Sequence, residues 1–493
     1  MKTKVTIFLI VIFAAILRIY NIEQKNLWFD EVFSWKISQG SIKEIVSETS
    51  GDIHPPLFYI ALKLWTVLFT DGVFSMRMLS VLLSLLSIYF IYKLSHLCLK
   101  NDVQIIAVLL LFALSPLNIY YSQEVRMLNM NLFLCLGSVY YFLKLSKHYD
   151  LKYGLLYVIF STLAIYTHYF AFLVLITEAA MITVYYAFQK AGIESVRKFF
   201  LCFTIVNLLY VPWFPVFFNQ ILKGQPWRTE QSILQIFSNV FNYFHEIFLS
   251  TYTSLGSAGL YYLSIFVGLF LVSFMFFSIL KIVRTKKYFP DVRNSVAMFF
   301  FIPLFIASLI SLNQSIVLSR YLSIILPYLF ITIVYFSFNF YKRGTALLIV
   351  LVFLLISCYG TFIYFSNTSK NNDYRNIISY IENNYHEGDE IVAEPHFMGW
   401  VFKYYLNHNK SNIKLPVVLG WNMHMQIDSL KKINEMDRIW FILDYSSLKK
   451  NNYDSLSGLM RDIGFKRSAG RSFNILPSKV SVDYFIKNRQ PEH

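Results

Sequence analysis

The sequence predicts a polytopic α-helical membrane protein that carries a small C-terminal α/β domain. Two observations carry the prediction. Of 493 residues, 56% are hydrophobic and only 15% charged, with a mean hydropathy of +0.49, whereas an ordinary globular chain is about 45–50% apolar and about 25% charged. One buried core cannot absorb the excess, because cores stop growing at roughly 250–300 residues. Second, long apolar runs fill residues 1–366, which hold 27 Lys and Arg against 15 Asp and Glu, while residues 367–493 hold 17 against 14 and read as a soluble domain. The polar run 366–372 marks the boundary. This composition excludes a disordered chain, a collagen-like fibre, a disulfide scaffold and a nucleic-acid-binding domain, despite a net charge of +15. Cys98, Cys135, Cys202 and Cys358 fall in apolar stretches or at their edges, so no disulfide framework is expected.

A span needs about 20 mainly apolar residues to cross about 30 Å of hydrocarbon. Eleven runs qualify: 4–20, 76–95, 103–119, 128–143, 153–167, 170–188, 199–218, 260–281, 294–312, 321–340 and 345–365. Short cytoplasmic loops collect Lys and Arg, and every second loop here does so. Lys2 and Lys4 place the N-terminus inside. Lys93 and Lys100, then Lys144, Lys147 and Lys152, then Lys190, Arg197 and Lys198 mark the next inner loops. Lys281 to Arg293, then Lys342 and Arg343, complete the series. The alternation predicts a multi-pass protein of the cytoplasmic membrane with the C-terminal domain outside, and makes the basic charge a matter of topology and anionic headgroups. The first run lacks a small-residue cleavage site, so it is expected to be an uncleaved span.

Two outer loops, 21–75 and 219–259, are long, and long loops in compact proteins are usually functional. The first is acidic and contains an amphipathic stretch, Trp28–Ile45; the second contains Pro226-Trp227-Arg228 and Phe244-His245-Glu246. Asp30 and Glu31 follow the aromatic pair Trp28-Phe29. They read either as solvated charges or an N-cap, or as a carboxylate held at headgroup depth to act as general base. His54-Pro55-Pro56 reads as a rigid corner, with His54 incidental or aimed at the same cavity. Glu124, Arg126 and Arg320 lie within a few residues of hydrocarbon. Charges there are paired, snorkelling or functional, and a guanidinium can grip a phosphate with paired hydrogen bonds. Glu178 is deeper and reads as a hydrogen-bonded structural residue or part of a proton path. His168, at an outer turn, is ambiguous. There is no glycine-rich phosphate loop, metal-ligand pattern or nucleophile elbow.

Taken in order, Leu27-Trp28-Phe29-Asp30-Glu31-x-x-Ser34, His54-Pro55-Pro56-Leu57-Phe58-Tyr59, Met76-Arg77-x-x-Ser80, Ser115-Pro116 and Tyr121-Ser122-Gln123-Glu124-x-Arg126 resemble one family. It is the bacterial branch of the protein O-mannosyltransferase and lipid A aminoarabinose transferase group, family 39-like glycosyltransferases with the GT-C fold. The match is strongest over residues 20–170; Arg320-Tyr321 with Pro327, and Asp373-Tyr374-Arg375, resemble further positions typical of bacterial members.

The resemblance implies a transferase that moves a sugar from a polyprenyl-phosphate donor to an acceptor hydroxyl of a glycolipid, glycan or protein on the outer side. It implies Asp30, Glu31 and Glu124 as catalytic candidates. His54, Tyr59, Arg126, Arg320 and Tyr321 are the substrate-binding candidates, with charge and depth suggesting the arginines for the donor phosphate. No cofactor, metal or nucleic acid is expected; the partners are donor, acceptor and membrane lipids. A lipid-linked-sugar flippase or transporter, or an oligosaccharide polymerase or ligase, are the competing readings. Transporters place paired charges near the midplane, often in inverted repeats, and here the charges gather at the outer interface.

The C-terminal domain, residues 367–493, alternates helical (373–385, 397–406, 425–434, 454–463) and strand (390–393, 415–419, 438–443) patterns before strand-like terminal sequence. It predicts a small α/β layer with a largely parallel sheet, serving as a lid, an acceptor-positioning module or a passive cap.

Overall fold

Inside hydrocarbon every backbone N–H and C=O must be satisfied within the chain, so apolar runs close into helices. The computed structural model describes residues 2–147, 150–187, 192–223, 228–249, 268–269, 273, 292–368, 374–394, 397–408, 417–418, 437–444, 460–461, 464–475 and 478–487. Ten of the eleven expected spans fall on helices: Lys2–Ile19, Val73–Cys98, Asp102–Leu114 with Pro116–Ser122, Leu128–Lys147, Leu151–Ile165, Ala171–Ala187, Ile193–Tyr210, Val292–Ser311, Leu326–Phe340 and Arg343–Thr368. The run expected at 260–281 lies outside the described residues, apart from three of its positions. Among the described helices, five are long and apolar enough to cross a bilayer unaided, six if the bent pair Asp102–Leu114 and Pro116–Ser122 is one span.

The chain divides into two compact units. One comprises Met1–Ile22, Ile37–Thr70 and Phe74–Ser366; the other comprises Glu23–Lys36, Asp71–Val73 and Asn367–His493. The first is the helical membrane unit, with a continuous core that includes Leu109, Phe112, Val139, Phe142, Val174, Phe299, Tyr328 and Phe330.

The bend in the membrane unit determines where Glu124 and Arg126 lie. Pro116 carries no N–H and cannot continue the helix before it, and the axis turns by 56° at Ser115. Carbonyls at the break take side-chain donors instead. Arg18, fully buried, donates to the carbonyls of Phe112 and Ala113 (both 3.3 Å), to Ser84 Oγ (2.9 Å) and to Asn118 Oδ1 (2.7 Å). Thr361 Oγ1 caps the Leu114 carbonyl at 2.7 Å. Beyond the bend, Gln123 Nε2 donates to the carbonyls of Arg18 (3.0 Å) and Tyr20 (2.9 Å), and its Oε1 accepts from Tyr364. Ser80 Oγ holds the Glu124 carbonyl at 2.6 Å. Buried polar groups are tolerated because they are paired. Glu178 follows the same rule, accepting from Ser138 (2.8 Å) and Tyr157 (2.9 Å).

The amphipathic stretch expected over Trp28–Ile45 is two helices, Phe29–Ser38 and Ile42–Gly51. Ser41 breaks it with a capping box: its hydroxyl accepts from Glu44 N (3.3 Å) and its own N–H donates to Glu44 Oε2 (2.6 Å). The described part of the second long loop also lies largely in helices, Phe214–Lys223 and Ile233–Leu249.

In the soluble unit, helices Tyr374–Asn384 and Phe397–His408 accompany strands β1 (Glu390–Glu394), β2 (Val417–Val418), β3 (Arg438–Asp444), β4 (Phe465–Ile475) and β5 (Ser478–Lys487). The sheet order is β2-β1-β3-β5-β4. The expectation of a largely parallel sheet is corrected: β2, β1 and β3 are parallel, but β5 is antiparallel to both β3 and β4. Two residues separate β4 from β5, and so short a connection joins only antiparallel strands. Asp389, buried, accepts from Trp440 Nε1 (2.9 Å) and pairs with Arg438 (2.8 Å). The helix expected at 425–434 lies outside the described residues; of 454–463, Met460 and Arg461 are described as helical.

Candidate active site

In the membrane unit, His54 follows Ile42–Gly51 and precedes Pro55-Pro56, where Pro56 opens helix Leu57–Leu68. Leu57 N donates to the Tyr166 carbonyl (3.1 Å), pinning this corner beside the turn at 166–170 and bringing the His54 and His168 rings to 5.2 Å. Tyr321 packs against the same turn, 5.4 Å from His168 and stacked on Phe170 at 4.8 Å. Arg228 donates to Tyr321 Oη (2.9 Å), and both Arg228 (5.1 Å) and Arg320 (5.0 Å) sit over the Tyr321 ring.

Three arginines therefore converge on two histidines. Burial first, then Arg126, His168, Arg320 and Arg228, hold His54 well below the usual imidazole range. Burial, then Arg126, Arg228 and Arg320, push His168 down to about 3. Both rings are uncharged at neutral pH. His168 Nδ1 accepts from Phe170 N (3.1 Å), which leaves the ring proton on Nε2. That Nε2 is buried and meets no hydrogen-bond partner among the described residues. Such a cluster of guanidiniums with the neutral imidazole donor of His168 suits an anion.

Beside it, Tyr121, Asn239, Asn242, Glu246, Ser319 and Arg320 line a cleft of about 270 Å³ with Val317 and Leu318. Burial raises the Glu246 carboxyl, partly offset by a hydrogen bond from Ser319. Tyr121 lies near Glu246, Glu124 and Arg320, which places Glu124 at the edge of this group. Glu124 and Arg126 are themselves buried.

Asp30 and Glu31 belong to the soluble unit, in the first turn of Phe29–Ser38. The two carboxylates differ. Glu31 is fully buried and accepts from Trp28 N (3.2 Å), the return bond of a cap. Asp30 is partly buried, and its carbonyl accepts from Ser34 Oγ (2.9 Å).

The structure thus brings His54, Arg126, Arg320 and Tyr321 together, with Glu124 adjacent. Tyr59 is fully buried in helix Leu57–Leu68, its ring edge-on to Phe58. Sequence reasoning left out Arg228, His168 and Glu246 as site residues. Arg228 lies in a loop with no depth signal, and its contact with Tyr321 spans 93 residues of chain. The available signal for Arg228 was its position beside Trp227 in a long outer loop.

Residues 53–215 match the family model for dolichyl-phosphate-mannose-protein mannosyltransferase. No curated protein matches the chain in sequence. In fold the chain is similar to ArnT from Cupriavidus metallidurans in the apo state, at 12% identity and TM-score 0.58, covering 98% of each chain. It is similar also to the same protein bound to undecaprenyl phosphate, at 12% identity and TM-score 0.56, covering 96% of this chain and 97% of that one. The matched segment holds the His54 corner, the bend at Pro116, Glu124 and Arg126, and the likeness in fold extends over nearly the whole chain: this is a multi-pass helical membrane protein with an ArnT-like fold.

Proposed function

We propose that the protein transfers a sugar from a polyprenyl-phosphate donor to an acceptor hydroxyl on the extracytoplasmic side of the cytoplasmic membrane, with inversion at the anomeric carbon. The observation that carries this reading is the convergence of Arg126, Arg228 and Arg320 on His54, His168 and Tyr321. As the bond from anomeric carbon to phosphate oxygen breaks, its electron pair stays on the lipid phosphate, whose charge grows by one. Fixed guanidiniums stabilise that growth electrostatically. Asp30 takes the acceptor's proton as the new carbon–oxygen bond forms, a role supported by the family resemblance of Asp30-Glu31. Glu124, buried two residues before Arg126, assists, a role supported by the family resemblance of Glu124-x-Arg126.

The test is a purified full-length preparation given a labelled polyprenyl-phosphate sugar and lipid acceptors. Release of carrier phosphate with labelled product supports transfer, and loss of both in Arg126→Gln and Arg320→Gln supports the phosphate assignment. Movement of label between leaflets without release of carrier phosphate would overturn the reading in favour of a transporter.

A further inference from the structure

A base must sit within about 2.6–3.2 Å of the proton it takes, and a displacement of about 1 Å can cost about 10²-fold in rate. The helix that carries Asp30 has ten residues, too few to be stable on its own. Its support comes from the C-terminal domain. Trp400 stacks on Phe29 at 6.1 Å with 15° between planes, meets Phe33 at 5.7 Å and lies under the Lys36 ammonium at 5.5 Å. One turn further along the same helix, Tyr404 meets the Trp35 ring edge-on at 5.0 Å and stacks on His408 at 4.1 Å. Tyr405 Oη accepts from Leu27 N at 2.8 Å, just ahead of the helix.

Asp71 joins the two elements. Its Oδ2 accepts from Trp35 Nε1 (2.9 Å), its Oδ1 lies 3.2 Å from His408 Nε2, and its carbonyl accepts from Tyr404 Oη (3.1 Å). Trp35, Tyr404 and Tyr405 are buried. Contacts therefore reach both ends and the apolar side of the Asp30 helix, and aromatic pairs of this kind contribute orientation as well as burial.

We propose that the C-terminal domain is the positioning element for the catalytic base, with Trp400 and the Trp35–Asp71–Tyr404 staple as positioning residues. The inference rests on the assignment of Asp30 as base. It gives the C-terminal domain a part in the chemical step through its hold on the Asp30 helix.

The test uses the full-length enzyme with Trp400→Ala, Trp400→Phe, Trp35→Phe and Asp30→Asn, measuring kcat, donor affinity and thermal midpoint. Trp400→Ala is expected to lower kcat at least about tenfold while donor affinity stays within about twofold, because the arginine cluster is untouched. Trp400→Phe, which restores a stacking ring, recovers most of kcat. A folded Trp400→Ala enzyme with wild-type kcat, beside an inactive Asp30→Asn, overturns this inference alone; a fully active Asp30→Asn overturns the base assignment beneath it. Should Trp400→Ala fail to fold, Trp35→Phe decides, since it removes the indole N–H bond to Asp71 and keeps a smaller ring against Tyr404: a fall in kcat with donor affinity kept supports the inference, and unchanged kcat overturns it.

Discussion

Asp30 and Glu31 are neighbours in sequence with different surroundings, and exchanging each for its amide separates their roles. Glu31 accepts the Trp28 N–H at 3.2 Å from within a fully buried position. Glu31→Gln keeps an oxygen acceptor there and gives up the interaction of a carboxylate with the helix N-terminus, about 0.3–1 kcal/mol. Glu31→Ala leaves the Trp28 amide without that acceptor, at a cost of about 1–3 kcal/mol. Asp30→Asn leaves the helix intact and removes the proposed base, a role that contributes about 10²–10⁴-fold. The expected ordering in kcat for labelled-sugar transfer is Glu31→Gln within about tenfold of wild type and Asp30→Asn down at least about 10²-fold, with only Glu31→Ala showing a clear fall in thermal midpoint. A Glu31→Gln enzyme as inactive as Asp30→Asn, at an unchanged midpoint, would refute the capping role and place acid–base chemistry at Glu31.

Three further outcomes are expected. Arg228→Lys keeps the charge but loses the planar donor set over Tyr321, so donor affinity should fall about ten- to a hundredfold, equivalent to about 1.5–3 kcal/mol; equal affinity by equilibrium binding would remove Arg228 from the site. His168→Asn can keep the bond from Phe170 N while removing the Nε2 donor, so it should weaken donor binding about tenfold at an unchanged or raised midpoint, whereas His168→Gln retains a donor at the distal position; wild-type binding in both variants would show that the ligand does not use Nε2. Acid should destabilise the fold through this histidine. Its folded value of about 3 lies below the unfolded value of 6.5, so the unfolded chain takes up the proton first and stability falls as pH drops from about 6.5 towards 3, by about 1.4 kcal/mol per unit. His168→Asn should flatten that slope in a thermal-shift series; an identical slope would show that His168 titrates near its ordinary value.

Much of the fold was legible because membrane burial is written locally. A run of about 20 apolar residues has one stable backbone solution in hydrocarbon, and ten of the expected spans fall on described helices. The parallel half of the soluble sheet followed from alternation of helix and strand patterns. Its antiparallel half turns on the two-residue spacing between β4 and β5, which the strand pattern alone did not weigh. The break at Ser41 within Trp28–Ile45 was missed because the apolar pattern continues through it while the cap interrupts the backbone.

The sequence by itself predicted a helical membrane protein with a small C-terminal α/β domain and where its apolar helices fall, and its ordered motifs pointed to the family whose model matches residues 53–215. Tertiary structure decided the rest. It brought Arg228 to Tyr321, put His54 against His168, gave Glu31 a cap, and grouped the Asp30 helix with the C-terminal domain rather than with the membrane helices. The reason is physical. Hydrophobic length and charge asymmetry act on each segment separately and leave a local trace. A hydrogen bond or ring contact between residues tens to hundreds of positions apart depends on where packing places two surfaces, and no local pattern records that.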